Sequence, residues 1–296
     1  MSRLFQVTPH DSLSANEALH RSLAASHVQR LNPQLGCSDF EAALERDAHT
    51  RRLERDFIEA ERDAVSQVVR AVPRRPAEFV AWFEALKETG PGQGDPLFLW
   101  LAQSANHRQM CWFLRQELAG EAGFDDLVAL TQLKLPKRPK LEMARNYWDE
   151  MGQGHEGGMH GPMLEQLAQT LELDRSSETV WQSLALGNLM VALATTRHYA
   201  YQSIGALGVI EMTAPGRSEL VNAGLKRLGI AGVARRYYAL HATLDVRHSL
   251  AWNREVLEPL VASDPQIASR LAEGALMRLR AGARCFDRYR EELWGL

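Results

Sequence analysis

Three side chains able to ligate a metal stand at helical spacing in the run YYALHATLDVRH, which extends from Tyr237 to His248. His241, Asp245 and His248 recur at i, i+4 and i+7, so on an α-helix they fall within about 60° of one another. Tyr237, Leu240, Leu244 and Trp252 share that stripe, so the trio is expected to face the interior. A carboxylate buried beside two imidazoles is costly unless something compensates its charge. A metal ion is the natural compensation.

A metal site built this way needs ligands from other helices, and three further segments offer them. Met143, Tyr147 and Met151 form an apolar row that carries Glu150. The glycine-rich stretch Met151-Gly-Gln-Gly-His-Glu-Gly-Gly-Met159 follows, and it can turn the chain so that His160 points back to the same place. Met110, Phe113 and Leu114 lead to Glu117, with Glu121 one turn further on the same face; spacing favours Glu117. Ile204, Leu207 and Gly208 lead to Glu211, which stands just before Ala214-Pro-Gly, where a helix break is expected. Glu117, Glu150, Glu211 and Asp245 carry four negative charges, and neutral histidines add none. Two divalent cations balance them, and carboxylate with imidazole but no thiolate suits iron or manganese over a structural zinc.

Helical periodicity covers nearly the whole chain, and alternating β-branched runs are absent. Residues 12–32 and 38–72 read as an N-terminal arm whose second helix is long and heavily charged. A short helix at 77–88 follows Pro73 and Pro76, and Gly90-Pro-Gly-Gln-Gly-Asp-Pro96 reads as a linker. Further helices are expected at 97–120, 123–134, 138–151, 160–172, 177–197, 199–213, 217–228, 231–258 and 265–292. The architecture is an all-α bundle, with an arm over residues 1–90 and the site-bearing domain over 91–296.

The chain has 296 residues, is 45% hydrophobic and carries a formal charge of -3. That balance gives no reason to expect nucleic acid or an anionic membrane as partner. Cys37, Cys111 and Cys285 are scattered without CxxC spacing and read as reduced thiols, not a disulfide frame or a cluster site. No signal pattern and no apolar run long enough for a membrane span is present, so a cytoplasmic location is expected.

Together, the segment from Asn146 through Glu150 to the glycines, then His160, Glu211 before its Pro-Gly, and His241-xxx-Asp245-xx-His248 resemble the haem-oxygenase-like diiron oxidase and oxygenase superfamily. The resemblance covers roughly residues 95–292. It implies a haem-oxygenase-like helical bundle and seven ligands, Glu117, Glu150, His160, Glu211, His241, Asp245 and His248. One iron falls to Glu150, His160 and a member of the last trio, and the second to the remainder. It further implies two Fe ions cycling between Fe2+ and Fe3+, O2 as co-substrate, and a small-molecule substrate, with room for an external electron donor. Reactions in such proteins include fatty-acid decarboxylation, N-oxygenation, and desaturation or C–C cleavage of amino acids.

The substrate choice rests on neighbouring residues. Arg145, Arg235, Arg236, Arg247 and Asn146 lie close in sequence to the ligands, and guanidiniums pair carboxylates bidentately. Tyr147, Tyr237 and Trp252 would shorten any tunnel. A small polar substrate, an amino acid, amine or related carboxylate, is therefore expected over a fatty acid. A metal-free oxidase or thiaminase-like hydrolase on this scaffold, and a non-catalytic metal-binding or interaction protein, remain as alternatives. Haem is disfavoured, because an axial histidine leaves four carboxylates without a role. His155, His107 and His198 read as ordinary loop, core or surface histidines. The arm reads as a packing element or a homodimer contact.

Overall fold

The computed structural model describes residues 9–33, 35–36, 39–121, 123–173 and 179–295, with side chains from residue 14 onward. Cys37, the first eight residues and the start of the helix expected from 177 lie outside the described residues. Among those described there is no strand beyond one isolated bridge, and the fold is all-α and haem-oxygenase-like. No described helix is long and apolar enough to cross a membrane.

α9 (Trp181–Thr195) and the first half of α10 (Ala200–Arg227) are buried on nearly every side and form the centre. A segment apolar all round has no solvent face, which places it inside a bundle. Around α10 lie α11 (Arg236–Trp252), α13 (Ile267–Trp294) and the short α4 (Pro96–Gln103). The α10–α13 contact is backbone against backbone. A Cβ at Gly205 would lie 1.9 Å from the Leu271 carbonyl oxygen, and one at Gly274 1.8 Å from that of Gln202. Only hydrogen fits at either position, so this glycine pair sets how closely the two helices approach.

The N-terminal helices are packed on this body. α1 (Pro9–Leu31) lies against α9 and α2 (Phe40–Val69), and α2 lies against α13. The charged pattern of α2 is explained by ion pairs made within the fold. Glu54, 2% exposed, accepts from His27 Nε2 at 2.6 Å and Arg30 Nη2 at 2.8 Å. Arg62 reaches Glu273 on α13 at 3.0 Å, and Tyr199 donates to Glu59 at 2.8 Å. α3 (Pro76–Thr89) follows Pro73 and Pro76 and buries Phe79, Phe83 and Leu86.

Three helix boundaries differ from the periodicity reading. The helix expected over 97–120 is two, α4 and α5 (His107–Gly120), because Asn106 starts a new helix through a capping box. Asn106 accepts the Gln109 N–H at 3.0 Å while Gln109 accepts the Asn106 N–H at 2.9 Å. The break expected at Ala214-Pro-Gly is absent, and α10 runs through it. Pro215 removes only the bond to the Glu211 carbonyl, and burial on both sides of the proline holds the helix together. The helix expected over 231–258 begins at Arg236, and it passes through a π turn at Asn253–Leu257 into α12 (Glu258–Ser263). In that turn the Glu258 N–H bonds the Asn253 carbonyl, a wider loop just before Pro259, which cannot donate. α6 (Phe124–Thr131), α7 (Lys137–Glu150) and α8 (His160–Thr170) complete the bundle close to their expected bounds.

Candidate metal centre

α7 ends on Glu150, and the chain then folds back on itself. Gly152 adopts φ +60°, and a Cβ there would lie 2.3 Å from the Gly158 carbonyl carbon, so the two sides of the loop touch at their glycines. Met151 and Met159 bridge across it, and Arg236 Nη1 donates to the Gly157 carbonyl at 2.9 Å, tying the loop to the start of α11. His160 opens α8 directly after this turn. Its Nδ1 lies 2.6 Å from Glu150 Oε2, with both side chains buried. The approach lacks hydrogen-bond geometry, and His160 Nδ1 has no hydrogen-bond partner. Two donor atoms that close, neither serving the other, are arranged as ligands of one ion are.

His241 and His248 come from α11. His241 Nδ1–H donates to the Tyr237 carbonyl at 2.7 Å, which leaves the Nε2 lone pair for a ligand. Its ring stands edge-on to His160, with centroids 4.7 Å apart. His248 is turned the other way. Its Nε2 lies 3.0 Å from Asp149 Oδ2, and its Nδ1 lies 3.4 Å from Glu211 Oε2. Asn146 Nδ2 donates to Glu211 Oε1 at 2.5 Å and stands 3.2 Å from His248 Nδ1.

These residues form two trios that share Glu150: Glu150, His160 and His241, and Glu150, Glu211 and His248. In each, one ligand atom from every member lies within 4.8 Å of the others. Asp245, on the same helix, is buried, and its Oδ1 has no hydrogen-bond partner. Glu117 lines the same cavity but belongs to neither trio. Arg278, Arg217 and the Tyr289 hydroxyl favour its charged form, although burial outweighs them and raises its carboxyl above the usual range. Glu121 lines the cavity too, and accepts the Phe124 N–H at 3.1 Å.

The electrostatics of the cluster suit a cation. Burial, and then the charge of Glu211, push the Glu150 carboxyl well above its usual range. Burial with Glu211 and Glu150 pushes Asp245 up to about 10. Burial lowers both His160 and His241 to about 4, so both are neutral at pH 7, as metal ligands must be. Burial would lower His248 as well, but hydrogen bonds and charge from Glu211 and Asp149 win and raise it to about 9. Crowded carboxylates that hold protons against their nature, next to neutral imidazoles, fit a divalent metal.

A family profile described as iron-containing redox enzyme matches residues 111–283. The chain belongs to the iron-containing redox enzyme family. The matched segment begins in α5, ends in α13 and holds all seven residues singled out by spacing. As a family member with a buried Glu and His cluster, the protein is an iron-dependent oxidoreductase. No curated protein matches the chain.

Asp149 joins the cluster without having been singled out in the sequence, and Asn146, noted there only as a neighbour bearing on the substrate, instead contacts Glu211 and His248. Both sit within one turn of Glu150 on α7, so the segment Asn146-Tyr-Trp-Asp-Glu150 presents three polar groups to one site. None of the arginines proposed from sequence as carboxylate partners lines the cavity. Arg145 is exposed and pairs with Glu142, Arg235 binds the Ile230 carbonyl and Asn222, Arg236 holds the loop, and Arg247 is exposed. Their nearness in sequence put them on the outer sides of ligand-bearing helices. His107, His155 and His198 are exposed, as their reading as ordinary histidines expects.

Proposed function

We propose that this protein is a non-haem diiron oxidase or oxygenase that uses O2 to oxidise a small molecule, an amino acid, amine or related carboxylate. The observation that carries the reading is the sharing of Glu150 by two trios of donors, all buried but the half-buried His241. One trio would hold each iron, with Glu150 between them, Asp245 offering its unpartnered Oδ1 and Glu117 the seventh ligand from the facing wall. The carboxylates of Glu117, Glu150, Glu211 and Asp245 balance two divalent ions. Ferrous ions held there supply the electrons for reducing O2.

The chain's own residues do the positioning. The Tyr237 carbonyl and the Asp149 carboxylate engage opposite ring nitrogens of His241 and His248, so that His241 would offer Nε2 and His248 Nδ1 to iron. Asn146 fixes the Glu211 carboxylate through Oε1, which leaves Oε2 beside His248 Nδ1. Leu118, Leu164, Ile210 and Val221 line the cavity and limit the water around the site. The cavity is about 300 Å³. That is the small end of the about 300–1,000 Å³ usual for small-molecule pockets, which favours a compact substrate over a long chain.

The test is anaerobic loading with Fe(II), desalting, metal analysis and O2 uptake. Two irons per chain and oxygen consumption that rises with a member of an amino-acid, amine and carboxylate panel are expected. Stoichiometric iron with no oxygen consumption under any panel member would favour a metal-binding protein without catalysis.

A further inference from the structure

Two arginines line the cavity without partners to match them. Arg217 stands on α10 and Arg278 on α13, and both face the cavity that holds the metal cluster. Among the described residues neither forms an ion pair with a carboxylate. Arg217 lies over the rings of Phe98 and Phe286, 5.8 and 5.2 Å from their centroids, which orients its plane but does not neutralise it. Arg278 Nε is buried and has no hydrogen-bond partner. Burial, and then the charge of Arg278, lower Arg217 to about 10, so it remains a cation at neutral pH.

A single carboxyl, that of Glu117, feels both guanidiniums. Glu121 is engaged with the Phe124 amide. Glu121 also faces Arg278 and Asp95 faces Arg217, yet among the described residues no carboxylate closes an ion pair with either guanidinium, so both forks keep donors for a ligand in the cavity. Ile210, Glu211, Ala214, Arg217, Ser218 and Val221 line the cavity along one side of α10. Arg217 follows Glu211 by six residues, a displacement of about 9 Å along the helix axis. A molecule held by a charged group at the arginines would therefore present another part of itself to the metal ligands.

We propose that Arg217 and Arg278 form an anion subsite that seats the carboxylate of a small substrate, whose opposite end is the part oxidised at the metal cluster. The guanidinium fork matches a carboxylate in two parallel hydrogen bonds, and two such forks from facing helices fix its orientation. The subsite rests on the diiron reading for what happens at the other end, though not for binding itself. It also assigns the substrate's charged group to residues none of which is near a ligand in sequence except through α10.

The test is calorimetric titration of acetate, hexanoate and benzoate, each against the amide of the same skeleton, into metal-free and iron-loaded protein. The acids are expected to bind at least about tenfold tighter than their amides in both forms. Arg217→Gln and Arg278→Gln are each expected to erase most of that preference while iron content and helical circular dichroism stay as in the wild type. Arg217→Lys and Arg278→Lys keep the charge without the fork, and an intermediate preference is expected. They decide the matter if a glutamine variant does not fold, since wild-type preference in the lysine variant then overturns the subsite. Equal binding of acid and amide, wild-type preference retained in either glutamine variant, or a preference that vanishes when iron is removed would also overturn it. Absence of iron from the wild type would count against the diiron reading and leave the anion preference to be judged separately.

Discussion

Asp149 Oδ2 lies 3.0 Å from His248 Nε2, while the adjacent residue, Glu150, belongs to both ligand trios. Neighbours at a helix end thus serve different shells of one centre: Glu150 faces the metals, and Asp149 reaches round to hold a ligand that arrives on another helix. A carboxylate on the far nitrogen of a ligating histidine fixes its tautomer and strengthens it as a donor.

Asp149→Asn should therefore weaken iron binding without unfolding the protein. The amide can still accept from His248 but carries no charge, so a loss of about 10- to 100-fold in Fe(II) affinity is expected. Helical circular dichroism should not change, because Asp149 is partly exposed and its other side-chain contact is with Gln153 on the loop. Wild-type iron affinity in this variant would show that Asp149 does not support His248.

Replacing His241 and Asp245 together with alanine should abolish stoichiometric iron. It removes one member of the first trio and the buried carboxylate whose Oδ1 has no other partner. Two irons retained after Fe(II) loading and desalting would overturn the ligand assignment.

What could be read from the sequence followed what one helix can show. His241, Asp245 and His248 share a helix, so their common face was visible from spacing alone, and Trp252 on the same stripe is 1% exposed. Glu150 and His160 were legible because glycines mark the turn between them. Glu211 was found on its apolar row, but its helix was cut short, since a proline inside a helix looks like an end until packing on both sides is known. Asn146 and Asp149 act on partners from α10 and α11, and no period along α7 records such contacts. Arg217 and Arg278 were invisible for the same reason. An arginine on an amphipathic helix looks solvated until α10 and α13 are set against each other.

That pairing of α10 with α13 gives a stability prediction. Gly274→Ala would place a methyl 1.8 Å from the Gln202 carbonyl oxygen, a backbone atom that cannot turn aside. Overpacking of this kind costs about 1–3 kcal/mol or more, against roughly 1 kcal/mol gained in helix propensity. Thermal denaturation should show a fall of several degrees. Gly216→Ala on exposed helix surface meets nothing within 4 Å and should be neutral or stabilising. Equal melting temperatures for the two variants would mean that the helices are not in backbone contact.

Iron should also change how stability depends on pH. Asp245, raised from 3.8 to about 10, and His248, raised from 6.5 to about 9, hold protons in the metal-free fold that the unfolded chain has released by neutral pH. Such groups stabilise fully below their unfolded values, and their contribution is lost as pH rises through the folded ones. His160 and His241, lowered from 6.5 to about 4, work in the opposite sense, with their contribution complete above 6.5 and lost toward 4. Between about pH 7 and about pH 8.5 the contribution of His160 and His241 is already complete, while Asp245 and His248, with Glu150 raised in the same direction by burial and Glu211, go on losing theirs, so the metal-free protein should melt at a lower temperature at the higher pH. Bound Fe(II) displaces those protons and removes the loss. Melting curves taken anaerobically with and without Fe(II) should therefore diverge as pH rises across this range. A gap that stays constant or narrows would mean that the metal does not replace protons on Asp245 and His248.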